Sequence, residues 1–201
     1  MRVAVLVSGG GSNLAALIDA HRRGELSGAQ FAVVISSRPD VYALERAQSA
    51  DIPTAVISRK EHSAESFDAQ LLEQLDGAKA DLVVLAGFLS VLGPLVLGRY
   101  MGRIINVHPS LIPSFCGPGM YGLRVHQAAL DKGVKITGAT VHMVNEIVDG
   151  GEILLQKAVD VLPRDTAQTL QKRVMEQAEW VLLPRAVGMI CRKELPIRRG
   201  I

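Results

Sequence analysis

The sequence predicts an α/β fold built on a doubly wound, mostly parallel sheet of about seven strands, with a late antiparallel strand and helices on both faces. Three observations carry that prediction. Short continuous apolar runs, as in strands buried on both faces, alternate through the first half of the chain with segments of helical periodicity. The first run passes directly into Ser8-Gly9-Gly10-Gly11-Ser12-Asn13 and then into a helix. From residue 134 onward the pattern changes to the residue-by-residue alternation of half-buried, antiparallel strands.

Val3 to Val7 is the first strand. Leu14, Leu17 and Ile18 recur at helical spacing after the glycine loop, and Gly24 stops that helix behind the basic turn Arg22-Arg23. Phe31 to Ile35 is the second strand; Pro39 and Asp40 open a second helix that runs through Ala50; Pro53 to Ile57 is a short third strand. Ser63 to Leu75 reads as a helix with Phe67, Leu71, Leu72 and Leu75 on one side, and Asp81 to Gly87 as a buried strand. The segment Gly87 to Gly93 leads into a helix whose first turn suits Pro94. The fifth strand is Arg103 to His108, ended by Pro109, which cannot donate to a sheet ladder. A Pro- and Gly-rich loop to Gly122 precedes a helix from Leu123 to Lys132 with Gly133 as its cap. Val134 to Val144 and Glu152 to Leu162 form a hairpin-type excursion, separated by residues 145–151. Asp165 or Thr166 caps a long last helix carrying Leu170, Val174, Gln177 and Val181, interrupted near Pro184. With no repeat, linker or composition break, the expectation is one Rossmann-like domain over residues 1–201.

At 48% hydrophobic and 21% charged residues the composition is that of an ordinary globular chain. A net charge of +2, with basic residues scattered apart from Arg22-Arg23 and Arg198-Arg199, argues against a nucleic-acid partner and leaves a mild preference for small anions. No apolar stretch approaches a membrane span. Cys116 and Cys191 make neither a disulfide framework nor a metal set, so a reducing cytoplasm and no metal are expected.

Two stretches carry chemistry. A strand, a glycine loop and a helix start together form an anion trap, because the unpaired amides and the positive end of the helix dipole face the loop. Leu14 stands where a dinucleotide loop wants its third glycine, and Ser36-Ser37-Arg38 replaces the acidic end of the next strand, which speaks against NAD. Arg38 keeps a 2′-phosphate, and hence an NADP-binding module, open; a purely structural tight turn with no ligand is the other reading of the loop. The second stretch is Asn106-Val107-His108. Residues two apart on a strand share a face, roughly 6.5–7 Å apart, which places an amide and an imidazole where an oxyanion intermediate could be held and protonated. On the residues alone a satisfied loop anchor is the other reading. Asp149 before Gly150-Gly151 is either a turn residue or an inward-aimed carboxylate.

Across nearly its whole length the chain resembles the glycinamide ribonucleotide formyltransferases, folate-dependent enzymes of purine synthesis. Three pieces carry the resemblance: Ser8 to Leu14, Asn106 to Pro113, and Gly138-Ala139-Thr140-Val141-His142 followed by Asp149-Gly150-Gly151. The resemblance implies transfer of the formyl group of 10-formyltetrahydrofolate, a co-substrate, to the amine of 5-phosphoribosylglycinamide without a metal. It implies that Asn106 holds the formyl oxygen, His108 manages the proton, and Asp149 pairs with His108, raising its pKa. Ribonucleotide contacts are implied at Gly11, Ser12, Asn13, Gly87, Pro109 and Glu179, the last through a helix alignment with one extra residue. Folate contacts are implied at Ala64, Leu89, Ser90, Val91, Leu92 and Asn106, and at Asn145, Glu146, Ile147, Val148 and Asp149. The phosphate half is then about 1–100 and the catalytic, folate half about 101–201.

Small-molecule partners, a cytoplasmic location and no nucleic acid or membrane go with this reading, and a homodimer stays open. Ala64 and Leu89-Ser90 depart from the basic residue and the Met-Arg pair common in relatives, so the resemblance carries over no cation for the folate's glutamate tail. The loop from Ser114 to Tyr121 is longer than in some relatives, so no site residue is carried onto it. A Cys116–His108 hydrolase lacks an orienting group, and His142 reads as a packed strand residue. The competing enzymes are a formyl-folate hydrolase and a tRNA formyltransferase, both of which usually carry a further domain.

Overall fold

A computed structural model of the chain describes residues 1–195 and 197; the Arg198-Arg199 pair lies outside them. The strands are β1 (Arg2–Val7), β2 (Gln30–Ser36), β3 (Thr54–Val56), β4 (Leu82–Leu85), β5 (Ile104–His108), β6 (Ile136–Met143) and β7 (Ile153–Asp160). The helices are α1 (Ser12–Arg22), α2 (Tyr42–Gln48), α3 (Ala64–Gly77), α4 (Pro94–Arg99), α5 (Leu123–Lys132), α6 (Ala167–Val174) and α7 (Trp180–Cys191), with a π-helical turn (Met175–Glu179) between the last two.

The seven strands form one sheet in the order β3-β2-β1-β4-β5-β6-β7. The first five are parallel, β6 runs antiparallel to β5, and β7 antiparallel to β6, as the change of pattern after residue 134 predicts. Alternate residues of each central strand feed two apolar layers. Val3, Val5 and Val7 pack with α1, α2 and the last helices; Ala4 and Leu6 pack with Phe67, Leu71 and Leu75 of α3 and Val96 of α4. The chain therefore leaves β1 and β4, which are neighbours, toward opposite faces. That reversal opens a crevice beyond their carboxyl ends, where open α/β sheets bind ligands.

Most element ends shift by one or two residues from the sequence reading, and two differences are larger or change an element. Helix α2 starts at Tyr42 rather than at Pro39, because Asp40 takes a left-handed backbone (φ 52°) and Val41 is extended. The long last helix is interrupted at Met175–Glu179, with Pro184 inside α7. Pro184 leaves the carbonyl of Trp180 without its regular helical donor, and the widened turn sits directly upstream of that residue. Glu179 is the last residue of this π turn, directly before α7. Thr166 caps α6 reciprocally with Thr169, and among the described residues no helix is long and apolar enough to cross a membrane.

Behind the site, His126 on α5 is fully buried, and neither ring nitrogen has a hydrogen-bond partner among the described residues. Burial, with a smaller push from His108, lowers its pKa from 6.5 to about 4. The ring is thus neutral in the fold, whereas the unfolded chain takes up a proton near the ordinary value. The stability this group supports is complete above pH 6.5 and declines as pH falls toward 4. From His126 alone, urea unfolding is expected to show stability roughly 2 kcal/mol lower near pH 5 than near pH 7.5. His126→Leu should remove that part of the pH slope; an unchanged slope in the variant would refute the assignment.

Candidate active site

Strand β5 ends against the crevice, and its pairing fixes the site. Asn106 lies opposite Leu85 on β4 and opposite His142 on β6; His108 lies opposite Thr140. Asn106 and His108 project to one side of the sheet, as their spacing requires. The Asn106 amide Nδ2 is 3.1 Å from His142 Nε2, and His142 Nδ1 is 2.7 Å from the Met143 carbonyl. A carbonyl only accepts, so His142 Nδ1 carries a proton, and its Nε2 faces both the Asn106 amide and the Asp149 carboxylate. One amide N–H of Asn106 is then used and the other is left for a ligand.

Asp149 is brought back over β5 by the loop between β6 and β7. The turn is narrow: Asn145 Oδ1 accepts from the Ile147 amide (2.9 Å), and Asp149 itself has φ 56°. Gly151 tolerates no side chain, since a Cβ there would lie 1.8 Å from the Met143 carbonyl oxygen. The carboxylate, 8% exposed, lies between two imidazoles, with Oδ2 3.4 Å from His108 Nδ1 and Oδ1 3.6 Å from His142 Nε2. Its Oδ2 also accepts from the Gly117 amide at 2.9 Å. Burial pushes the Asp149 pKa up, but the His142 and Gly117 contacts and the His108 ring outweigh it, leaving the carboxyl below its usual value and ionised at neutral pH.

His108 is held from both sides. Its Nε2 is 2.9 Å from the Phe115 carbonyl, which fixes a proton on that nitrogen, and its Nδ1 faces Asp149. Burial lowers its pKa, and this outweighs the upward pull of the Phe115 carbonyl and of Asp149. This corrects the expected rise: the carboxylate acts in the expected direction, but desolvation of a 4% exposed ring is larger. A neutral His108 thus has one proton for two acceptors, and an imidazolium would serve both.

The second half of the crevice is the glycine loop. Gly11 is left-handed (φ 69°) and precedes α1; among the described residues the backbone amides of Gly11, Ser12 and Asn13 donate to no protein group. Asn13 Nδ2 donates to Glu179 Oε2 at 2.8 Å, and the side-chain Oδ1 of Asn13 is buried without a partner among the described residues. Burial raises the pKa of Glu179, with the Asn13 bond opposing. The two halves are stitched together by Ser8, which shares a hydrogen with Ser37 (2.6 Å) and accepts from the Leu89 amide (2.9 Å). Asp68 holds the other end of the loop after β4, accepting from the amides of Gly93 (3.0 Å) and Leu95 (2.8 Å).

The remaining predicted site residues divide by burial. Leu89, Val91, Ile147 and Val148 expose apolar side chains on the two loops beside the strand end, and Gly87, Ser90, Pro109, Asn145 and Glu146 are partly or fully accessible. Leu92 differs, because its side chain packs into the core with Phe67 and Val96, leaving only its backbone for a ligand. Ala64 opens α3 and is exposed; the nearest cations along the chain are Arg59, over the Phe67 ring, and Lys60. The sequence reading did not assign His142, the Phe115 carbonyl or the Gly117 amide to the site. His142 was legible only through the β5–β6 register, and the other two act through backbone atoms that no side chain announces.

Residues 1–187 match the family model described as formyl transferase. The chain is 41% identical over 201 residues to phosphoribosylglycinamide formyltransferase of Haemophilus influenzae, covering all of this chain and 92% of that one. It is 45% identical over 191 residues to the trifunctional purine biosynthetic protein adenosine-3 of Drosophila melanogaster, covering 94% of this chain and 14% of that protein. The chain spans between 14% and 18% of the length of such trifunctional relatives. Among solved structures, glycinamide ribonucleotide transformylase 1 from Symbiobacterium toebii superimposes with a TM-score of 0.91 at 40% identity, over 98% of this chain and 91% of that one. The chain belongs to the formyl transferase family.

Proposed function

We propose that the protein transfers the formyl group of 10-formyltetrahydrofolate to the amine of 5-phosphoribosylglycinamide, releasing the N-formyl product and tetrahydrofolate in purine synthesis. The observation that carries this reading is the meeting of Asn106, His108 and Asp149 beside a loop whose free amides suit a phosphate. In this reading Gly11, Ser12 and Asn13 take the phosphate, and Glu179, held by Asn13, accepts from the ribose hydroxyls. Leu89, Val91, Ile147 and Val148 flank the pterin.

The substrate amine attacks the formyl carbon, forming a carbon–nitrogen bond and placing negative charge on the formyl oxygen. The free N–H of Asn106 meets that charge as it develops, which is where a fixed donor lowers a barrier. The amine must then lose a proton and the folate nitrogen must gain one as its bond to the formyl carbon breaks. His108 carries that proton, taken up on Nδ1 beside the ionised Asp149, so the charge formed on the ring is met by the carboxylate.

Incubating the protein with 10-formyltetrahydrofolate and 5-phosphoribosylglycinamide, and following both products by mass spectrometry, tests the assignment. Formylated ribonucleotide in one-to-one yield with tetrahydrofolate is expected. Formate released at the same rate with and without the ribonucleotide would point to a hydrolase and sink it.

A further inference from the structure

We infer that Arg46 is a positioning residue for the anion-binding loop, holding the Gly10 carbonyl back so that the Gly11 amide stays turned toward a phosphate. The inference rests on the reading that this loop takes the phosphate of the ribonucleotide. A trans peptide unit carries its carbonyl and the next residue's N–H on opposite edges, so fixing one carbonyl fixes the direction of the following amide. Three successive carbonyls of the loop are occupied. Gly9 accepts from the Ala43 amide (3.2 Å), Gly10 from Arg46 Nε (3.0 Å), and Gly11 from the Ala15 amide (2.9 Å). The amides thereby set are those of Gly10, Gly11 and Ser12, and only the middle one depends on a side chain.

The contact is built in rather than incidental. Helix α2 is pressed so closely on the loop that a Cβ on Gly11 would lie 2.7 Å from Ala43 Cβ, which brings Arg46, one turn along, within reach of the Gly10 carbonyl. The guanidinium is further fixed by stacking over the Tyr42 ring, 4.5 Å from its centroid. Glu45 and Asp19 line the same surface groove, yet among the described residues no carboxylate comes within ion-pair distance of Arg46. Its charge is therefore left to act on the loop and on an anion seated there.

Calorimetric titration separates this role from general damage. For Arg46→Met the affinity for 5-phosphoribosylglycinamide is expected to fall roughly ten- to hundredfold. Affinities for the dephosphorylated riboside and for tetrahydrofolate should stay at the parent's values. In turnover, the ribonucleotide KM should rise with kcat nearly unchanged, and Arg46→Lys, which keeps the charge but not the planar fork, should fall between the two. Parent-like ribonucleotide binding by Arg46→Met, or an equal loss for all three ligands, would overturn the inference. A parent protein that binds no ribonucleotide would instead refute the functional reading on which it rests.

Discussion

Asn106→Ala is expected to lower kcat roughly 10²–10³-fold, on the magnitude typical of a lost oxyanion donor. The fold should survive, because the side chain is only half-buried and makes a single hydrogen bond, to a histidine that keeps its second partner, the Met143 carbonyl. KM values should change little, since the second amide N–H engages an oxygen that becomes strongly negative only at the transition state. Single-turnover rates, with melting curves as the control, give the measurement. A variant within a few-fold of the parent would remove the oxyanion role from Asn106 and leave it as a spacer for His142.

Asp149→Asn should be nearly as severe, with turnover down roughly 10²–10³-fold as expected for a disabled proton handler. The substitution preserves size and lets the side-chain carbonyl still accept from the Gly117 amide. What it deletes is the charge that offsets the burial of His108. The histidine pKa, already below its ordinary value, should fall further, and the acid limb of the kcat/KM profile should move to lower pH. An NMR titration in which His108 is unchanged would disprove the pairing. The carboxyl also contributes stability above the unfolded carboxylate pKa that is lost as pH falls through its lowered folded value. The variant should lack that loss.

Much of this arrangement was legible in the residues. The buried runs Val3 to Val7 and Asp81 to Gly87 read as central parallel strands, which the structure places at Arg2–Val7 and Leu82–Leu85, and Pro109 fixed where β5 ends and hence which side chains reach the crevice. The glycine loop, by its place between a strand and a helix, reads either as an anion trap or as a tight turn without a ligand, and the structure places it there with Gly11 left-handed. Other features were hidden because they depend on pairing or on backbone direction. His142 looks like any strand histidine until the antiparallel register sets it opposite Asn106. The loop after Pro109 gave no side chain worth assigning, yet the Phe115 carbonyl and the Gly117 amide are what hold His108 and Asp149. The direction of the His108 pKa shift was misjudged for a related reason. A neighbouring acid is visible in a sequence, whereas the depth of burial that opposes it is a property of the finished fold.

The bond between Asn13 and Glu179 joins residues 166 positions apart, on the first helix and at the start of the last. Any small molecule resting on both acts as a clasp between the two ends of the polypeptide. Its binding energy then counts against global unfolding rather than the opening of one loop, so saturating ligand should protect the carboxyl-terminal helix from fraying and from protease.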